Sequence, residues 1–246
     1  MFEITLSNVD LLKNTIPIIA EIIDEGVFKV DKNGLSMISP DRSMIAVVDF
    51  KLLPTAFDEF KSEGSDEVGL NLSNFVSIIK RLRSGDSVTL KFDGNEFEII
   101  SKGAWKRKFT LPILDISMEK PPIEQLEFSG KVVMASGILE DGIADALIID
   151  DSVVFEASNE YFKLWAKSEL SATELQLVKG DEGLYEINVK DSIKARYPLE
   201  YLKKMIKASK LSDKVELEFG TDYPLRLTFK EIDKVHMGFI LAPREE

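Results

Sequence analysis

The sequence predicts an α+β protein built as two similar domains in tandem. Three observations carry that expectation: an internal repeat of half the chain length, the same order of helix- and strand-period segments in each copy, and a proline-bearing connector between the copies. The chain has 246 residues and is 44% hydrophobic, enough to bury a sizeable core instead of staying disordered. Its length suits one large domain or two ordinary ones.

The repeat is legible residue by residue. The stretch "IIKRLRSGDSVTLKF" begins at Ile78 and its variant "MIKASKLSDKVELEF" at Met205, a shift of 205 − 78 = 127. Under that shift Leu72 meets Leu199, Ile79 meets Ile206, Lys80 meets Lys207 and Asp86 meets Asp213. Val88, Leu90 and Phe92 meet Val215, Leu217 and Phe219. Upstream, Leu12 falls on Leu139, Ile16 on Ile143 and Phe28 on Phe155. A register kept over so long a stretch marks duplication of one folding unit.

Each copy reads as the same series. A short strand over 3–6 leads to an amphipathic helix over 9–24, with Leu12, Ile16, Ile19 and Ile23 at helical spacing. Pro17 inside it should kink the helix or remove a backbone bond. Two strands, "GVFKV" and "LSMI", are joined by the hairpin signal "DKNG". "MIAVVDF", a polar loop, a helix over 72–83 and three strands ending at "KRKFTLPIL" complete the copy. The second copy runs from Lys131, with helices expected over 136–150 and 198–208. Between them, Pro121 and Pro122 favour extended backbone and forbid a helix. The expected divisions are 1–113, a connector over 114–127, and 128–246.

Little in the chain suits enzyme chemistry. There is no cysteine, so disulfides, thiolate metal sites and thiol nucleophiles are excluded. His236 is the only histidine and reads as structural; neither a Walker pattern nor GxGxxG occurs. Carboxylates cluster in "IDD" (149–151) and "EDGIAD" (140–145), which read as solvated faces of an acidic chain before they read as a metal site. No metal, no cofactor and no catalytic residue is expected. "MFEITLSNVD" lacks the basic and apolar stretches of a signal peptide, and no apolar run nears the roughly 20 residues of a membrane helix. A soluble cytoplasmic protein is expected.

The net charge of −12 disfavours nucleic acid as a partner unless cations cluster. They do: Lys80, Arg81 and Arg83 follow one helix pattern, and Lys203, Lys204, Lys207 and Lys210 follow its copy, with Lys13 on the first helix. Residues three and four apart share a helix face, so Lys203 and Lys207 should project together. Such lysines are ordinarily a solvated helix face; their recurrence in both copies weakens that reading and leaves a repeated basic surface open beside it.

With these residues in view, the chain resembles the ring-forming DNA sliding clamps, the proliferating cell nuclear antigen family in its archaeal form. The likeness rests on "MFE", "LLKNTIPIIAEIIDEGVFKV", "GLSMISPDRSMIAVVDF", "NLSNFVSIIKRL" and the close "FILAPREE", and spans the chain. It implies a clamp fold in which three chains close head to tail into a ring of six domains, helices lining the hole and sheets outside. The ring encircles duplex DNA without reading sequence and tethers DNA polymerase. Clamp loader, nuclease and ligase clients dock through short motifs, and the effect is local concentration, not covalent chemistry. An alternative is a clamp-like scaffold subunit with a checkpoint or paralogue role. Trimer and mixed ring with paralogues both remain open, as does a nucleoid-associated location.

The resemblance assigns Lys13, Lys80 and Lys207 to the DNA-facing wall, and helical placement adds Lys203, Lys204 and Lys210. It assigns the client-peptide pocket to Pro40, Met44, Ile45, Val47, Pro121, Ile123, Pro224, Ile240, Ala242 and Pro243, an apolar set suited to buried anchors. A subunit joint is expected between basic Arg81, Arg83, Lys106, Arg107 and Lys108 and acidic Glu140, Asp141 and Asp145. Beside it, the strand over 105–110 should pair with the strand over 172–178 of the next chain. The sequence departs from the family pattern in three places. The third helix carries no basic residue; Ala20, Ser77 and Glu200 replace common Lys or Arg positions; and "DRSM" (41–44) stands for "DPSR". These departures imply weaker or more asymmetric DNA contact.

Overall fold

The computed structural model describes residues 1–117 and 119–245; Met118 of the connector and Glu246 of "FILAPREE" lie outside the described residues. The first copy of the repeat supplies β1 (Phe2–Leu6), α1 (Val9–Ala20), β2 (Glu25–Asp31), β3 (Gly34–Pro40), β4 (Ala46–Leu52), β5 (Glu59–Ser62) and β6 (Asp66–Asn71). It continues with α2 (Leu72–Ile79), β7 (Ser87–Phe92), β8 (Phe97–Lys102) and β9 (Lys106–Leu111). The second supplies β10 (Gly130–Ala135), α3 (Ser136–Ile149), β11 (Ser152–Ala157), β12 (Tyr161–Lys167), β13 (Ala172–Val178), β14 (Leu184–Val189) and β15 (Ile193–Pro198). It ends with α4 (Leu199–Met205), β16 (Lys214–Phe219), β17 (Leu225–Glu231) and β18 (Val235–Leu241).

The shift of 127 holds in three dimensions. It carries Val9, the first residue of α1, to Ser136, the first of α3, and Leu72 at the start of α2 to Leu199 at the start of α4. It also carries β3 onto β12 and β7 onto β16 end for end. The strand orders agree: β5-β1-β7-β8-β9 corresponds to β14-β10-β16-β17-β18, and β4-β3-β2-β6 to β13-β12-β11-β15. Corresponding strands pair antiparallel in both copies, β1 with β7 and β10 with β16, with Phe2 opposite Phe92 and Gly130 opposite Phe219.

Two compact units result. The first comprises Met1–Arg42, Val48–Pro121 and Glu231–Met237; the second takes Ser43–Val47, Pro122–Lys230 and the chain from Gly238 onward. In the first unit Phe75 of α2 meets Phe28 and Phe97 edge-on, at 5.8 and 5.9 Å between ring centroids. In the second, Phe155 meets Phe162, Tyr197 and Phe219 in the same manner. Strands alternate buried and half-exposed residues, as a sheet covered on one face requires.

Three helix boundaries differ from expectation. α1 stops at Ala20 instead of Asp24, where the Glu21 and Ile22 N–H groups turn to the tighter i→i−3 bonds with the Ile18 and Ile19 carbonyls. It continues through Pro17, so the proline costs the backbone bond to the Lys13 carbonyl without ending the helix. α2 is capped by the Asn71 side chain, which accepts from the Asn74 N–H at 3.0 Å, but stops at Ile79 instead of Arg83. α4 stops at Met205 and is continued by a 3-10 segment, Ile206–Leu211. The "DKNG" hairpin forms as predicted, with Asp31 opposite Gly34. Gly34 takes φ +119°, and a Cβ there would lie 2.0 Å from the Leu52 carbonyl oxygen, so glycine is required.

Candidate functional site: basic helix surfaces and an apolar groove

The predicted DNA-facing lysines occupy solvated positions around the helices. Lys13 lies half-buried on α1, and Lys80 is the exposed residue that ends α2. Lys203 and Lys204 sit in the last turn of α4, where cations complement the helix dipole. Lys204 also stacks over the Tyr201 ring at 5.2 Å. Lys207 and Lys210 fall on the 3-10 segment, whose period of three aligns them with each other. The pairing expected for Lys203 with Lys207 assumed an unbroken α-helix, and the change of period removes that assumption. α3 presents Glu140, Asp141 and Asp145 to solvent with no base between them.

The basic cluster after α2 sits in a turn held from a distance. Arg107, the second residue of β9, donates Nη1 to the Arg81 carbonyl at 3.0 Å and Nη2 to Asp86 Oδ2 at 3.1 Å. Ser101 Oγ donates to the same carboxylate at 2.7 Å. The Ser101 hydrogen bond and then the Arg107 guanidinium hold the Asp86 carboxyl below the usual range, against the opposing effect of desolvation. A Cβ on Gly103 would stand 2.0 Å from Asp86 Oδ1, so that glycine keeps the carboxylate in place. Arg83 lies over the Trp105 ring at 4.5 Å, and the indole is 53% exposed. Lys108 pairs with Glu98 in its own sheet. Of the predicted joint residues, Arg107 and Lys108 are thus engaged within the first unit, Arg81 and Lys106 are exposed, and Glu140 accepts from Ser209 Oγ at 2.8 Å.

The predicted peptide pocket is partly assembled in the second unit. A groove of about 880 Å³ is lined by Ile45, Ala242 and Pro243 of the predicted set. The Ala242 N–H donates to the Ile45 carbonyl at 2.9 Å, which fixes two of its walls together. Met44 is 71% exposed with φ +58°, Val47 and Pro224 are half-buried, and Ile123 and Ile240 are buried. Pro40 and Pro121 are half-buried in the first unit. Near Ile123 the connector turn is clamped: Arg226 donates Nη2 to the Ile123 carbonyl at 2.9 Å and covers the Phe128 ring at 4.5 Å.

The groove also contains residues that the sequence reading missed: Leu147, Ile148, Pro198 and Arg244. Arg244 donates its backbone N–H to the Arg196 carbonyl at 2.8 Å and Nη1 to Asp151 at 2.6 Å, fastening the tail to β15. The Asp151 carboxyl is lowered first by that hydrogen bond. A signal for Ile148 was present. It lies nine residues after buried Leu139, about two and a half turns on, and so points off the buried face. Asp150 and Asp151 of "IDD" are occupied by local hydrogen bonds and by Arg244. Among the described residues no group of three or more metal-ligating side chains is gathered, and no helix is long and apolar enough to cross a membrane. His236 Nε2 stands 3.3 Å from Asp49 Oδ2.

Two α+β units of matching topology, a lysine-bearing α4 segment in the second and an apolar groove beside it define a two-domain clamp. Comparison with known proteins makes the assignment specific. Residues 1–117 match the N-terminal domain model of proliferating cell nuclear antigen and residues 122–244 its C-terminal domain model. The chain is 33% identical to the DNA polymerase sliding clamp of Thermococcus gammatolerans, over all of this chain and 99% of that one. It is 31% identical to the Pyrococcus furiosus DNA polymerase sliding clamp over the same shares. The crystal structure of PCNA from Thermococcus kodakaraensis superposes with TM-score 0.91 at 29% identity, covering 99% of this chain and 100% of that one. A chain of the PCNA2–PCNA3 complex from Sulfolobus tokodaii does so at 0.90 and 28% identity, with the same coverage. The chain belongs to the proliferating cell nuclear antigen family of DNA sliding clamps.

Proposed function

We propose that the protein is a replicative sliding clamp, a non-catalytic ring that encircles duplex DNA and holds DNA polymerase and other clients on it. Residues 1–113 and 128–246 serve as its two clamp domains and 114–127 as the connector. The observation that carries the reading is the repeat itself, expressed as two units of one topology in a chain whose two halves match the two clamp domain models.

Closure uses exposed strand edges. β9 ends its sheet in the first unit and β13 ends its sheet in the second. An unpaired edge is a template for another chain. β9 reads "KRKFTL" and α3 is acidic, so β9–β13 pairing between chains is accompanied by attraction between Arg81, Arg83 and Lys106 and Glu140, Asp141 and Asp145. Each exposed pair contributes about 0.2–1 kcal/mol, so only the set together matters. One surface of the one chain meets a different surface of the next, a heterologous contact that closes when its rotation divides the circle.

On the DNA side, Lys13, Lys80, Lys204, Lys207 and Lys210 contact phosphates on flexible stems, which holds the duplex without reading it and lets the ring slide, while Lys203 lines the groove instead. The client side is the groove at Ile45, Ala242 and Pro243, reached by short motifs with apolar anchors. The test is polymerase synthesis on circular primed DNA with clamp loader. Loading-dependent stimulation is expected, together with a native mass of three chains. No stimulation despite a stable ring would favour a scaffold role; a monomer alone points to a mixed ring, like the two-component complex of the Sulfolobus relative.

A further inference from the structure

We propose that the groove carries a second docking subsite, built on the C-terminal end of α3, which takes an aliphatic residue followed by a basic one on the client segment. This rests on the docking reading above and deepens it. Ile148 is 80% exposed and Leu147 36%, on a helix whose other exposed side chains are mainly carboxylates. Both line the same continuous groove as Ile45, Ala242 and Pro243. An exposed apolar pair at the rim of a concave surface marks a contact surface, since nothing in the packing of α3 requires it there.

Duplex DNA is a poor occupant of this end. Phosphates gain nothing from Leu147 and Ile148 and are repelled by the neighbouring carboxylates. A peptide segment suits it, and the charge selects which. The groove holds three carboxylates, Asp150, Asp151 and Glu200, against two cations, Lys203 and Arg244. Arg244 is committed to Asp151 by a 2.6 Å hydrogen bond, and Lys203 stands three residues from Glu200 on the same face of α4. Asp150 accepts from the Asp151 N–H and from Ser152 Oγ, and shares the Arg244 charge with Asp151 and Glu200, so the three carboxylates outnumber the two cations by one. A cationic residue of the client next to an aliphatic anchor therefore complements Asp150. Because the subsite stands on a helix end, it is preorganised and costs little ordering on binding.

The experiment uses the full-length ring and three fluorescent peptides. One carries a core of aliphatic and aromatic anchors; the others add Leu-Arg to its first or its last residue. On the wild type, one of the two extended peptides should bind about tenfold tighter than the core, the gain of one well-placed aliphatic contact. In Ile148→Ser that ratio should fall close to one. Two further versions of the tighter peptide, with Leu-Gln and with Ser-Arg in place of Leu-Arg, separate the two contacts: in Asp150→Asn the advantage of Leu-Arg over Leu-Gln should vanish while that of Leu-Arg over Ser-Arg remains. Equal affinities of all three peptides on the wild type overturn the subsite. A tenfold ratio that survives Ile148→Ser also overturns it, because the extension then binds elsewhere. Failure of the core peptide to bind at all overturns the docking reading itself, and is distinguishable because no ratio exists to compare.

Discussion

The basic end of the first unit and the basic end of the second derive from one repeated segment and hold their charges in opposite ways. After α2, Arg81 and Arg83 sit in a turn tied down by Arg107, Asp86 and Ser101. After α4 the corresponding segment is a 3-10 helix whose lysines face solvent, and Asp213, the counterpart of Asp86, is exposed. The apolar positions are nevertheless kept in both copies: Leu72 and Leu199, Val88 and Val215, Leu90 and Leu217 are all buried. Duplication preserved what the cores need, and the surfaces diverged, one toward a rigid edge beside β9 and the other toward solvated cations. The helices preceding them diverged too, α1 keeping Lys13 while α3 became acidic with an apolar tip.

This contrast can be broken at several levels. The largest effect is expected in the cores. Phe219→Ala, at a fully buried ring packed against Phe155, should cost about 3–5 kcal/mol in urea unfolding. Its counterpart Phe92→Ala should cost less, because Phe92 is 8% exposed. Gly103→Ala should come next, at about 1–3 kcal/mol, since its Cβ displaces Asp86 from the lock. A substitution at Lys230, the exposed position 127 residues on, should be near neutral in the same measurement.

Titration separates the two ends further. The Asp86 carboxyl is lower in the folded state than in the unfolded chain, so its contribution is present above the ordinary carboxylate value of 3.8 and disappears as pH falls through the folded value. Thermal melts between pH 7 and pH 3 should therefore show a shallower acid limb in Asp86→Asn than in wild type. On DNA, Lys207→Ala should lower the slope of log affinity against log salt by about one for each phosphate it leaves unneutralised, uniformly across sequences. Asp145→Lys, which puts a cation on the acidic α3, should raise that slope. The smallest effect is expected for Lys204→Ala, about 0.5 kcal/mol from the exposed stacking on Tyr201.

Much of this was legible in the residues. The repeat, the "DKNG" hairpin and the α+β class follow from periodic patterns and turn residues, and the family was read from the resemblance of particular stretches such as "NLSNFVSIIKRL" and "FILAPREE". The helix ends were not. Arg81, Leu82 and Arg83 continue a good helical pattern, yet α2 ends at Ile79, where the Arg81 and Leu82 N–H groups turn to the Ile78 and Ile79 carbonyls, and the Arg81 carbonyl accepts from Arg107, 26 residues away. The lysines after Met205 were expected on an α-helical face and lie instead on a segment of period three. Leu147 and Ile148 were passed over because an apolar run reads as core until a fold shows which side faces out.

By itself, then, the sequence determined the duplicated architecture, the absence of thiol chemistry and the positions that fill both cores, because burial of apolar side chains is a local, periodic demand. Only the tertiary structure decided which cations are locked into a turn and which stand in solvent, and which apolar residues line a groove. Those properties depend on partners distant in the chain, such as Arg107 for Arg81 and Arg244 for Asp151, and no pattern of spacing encodes them.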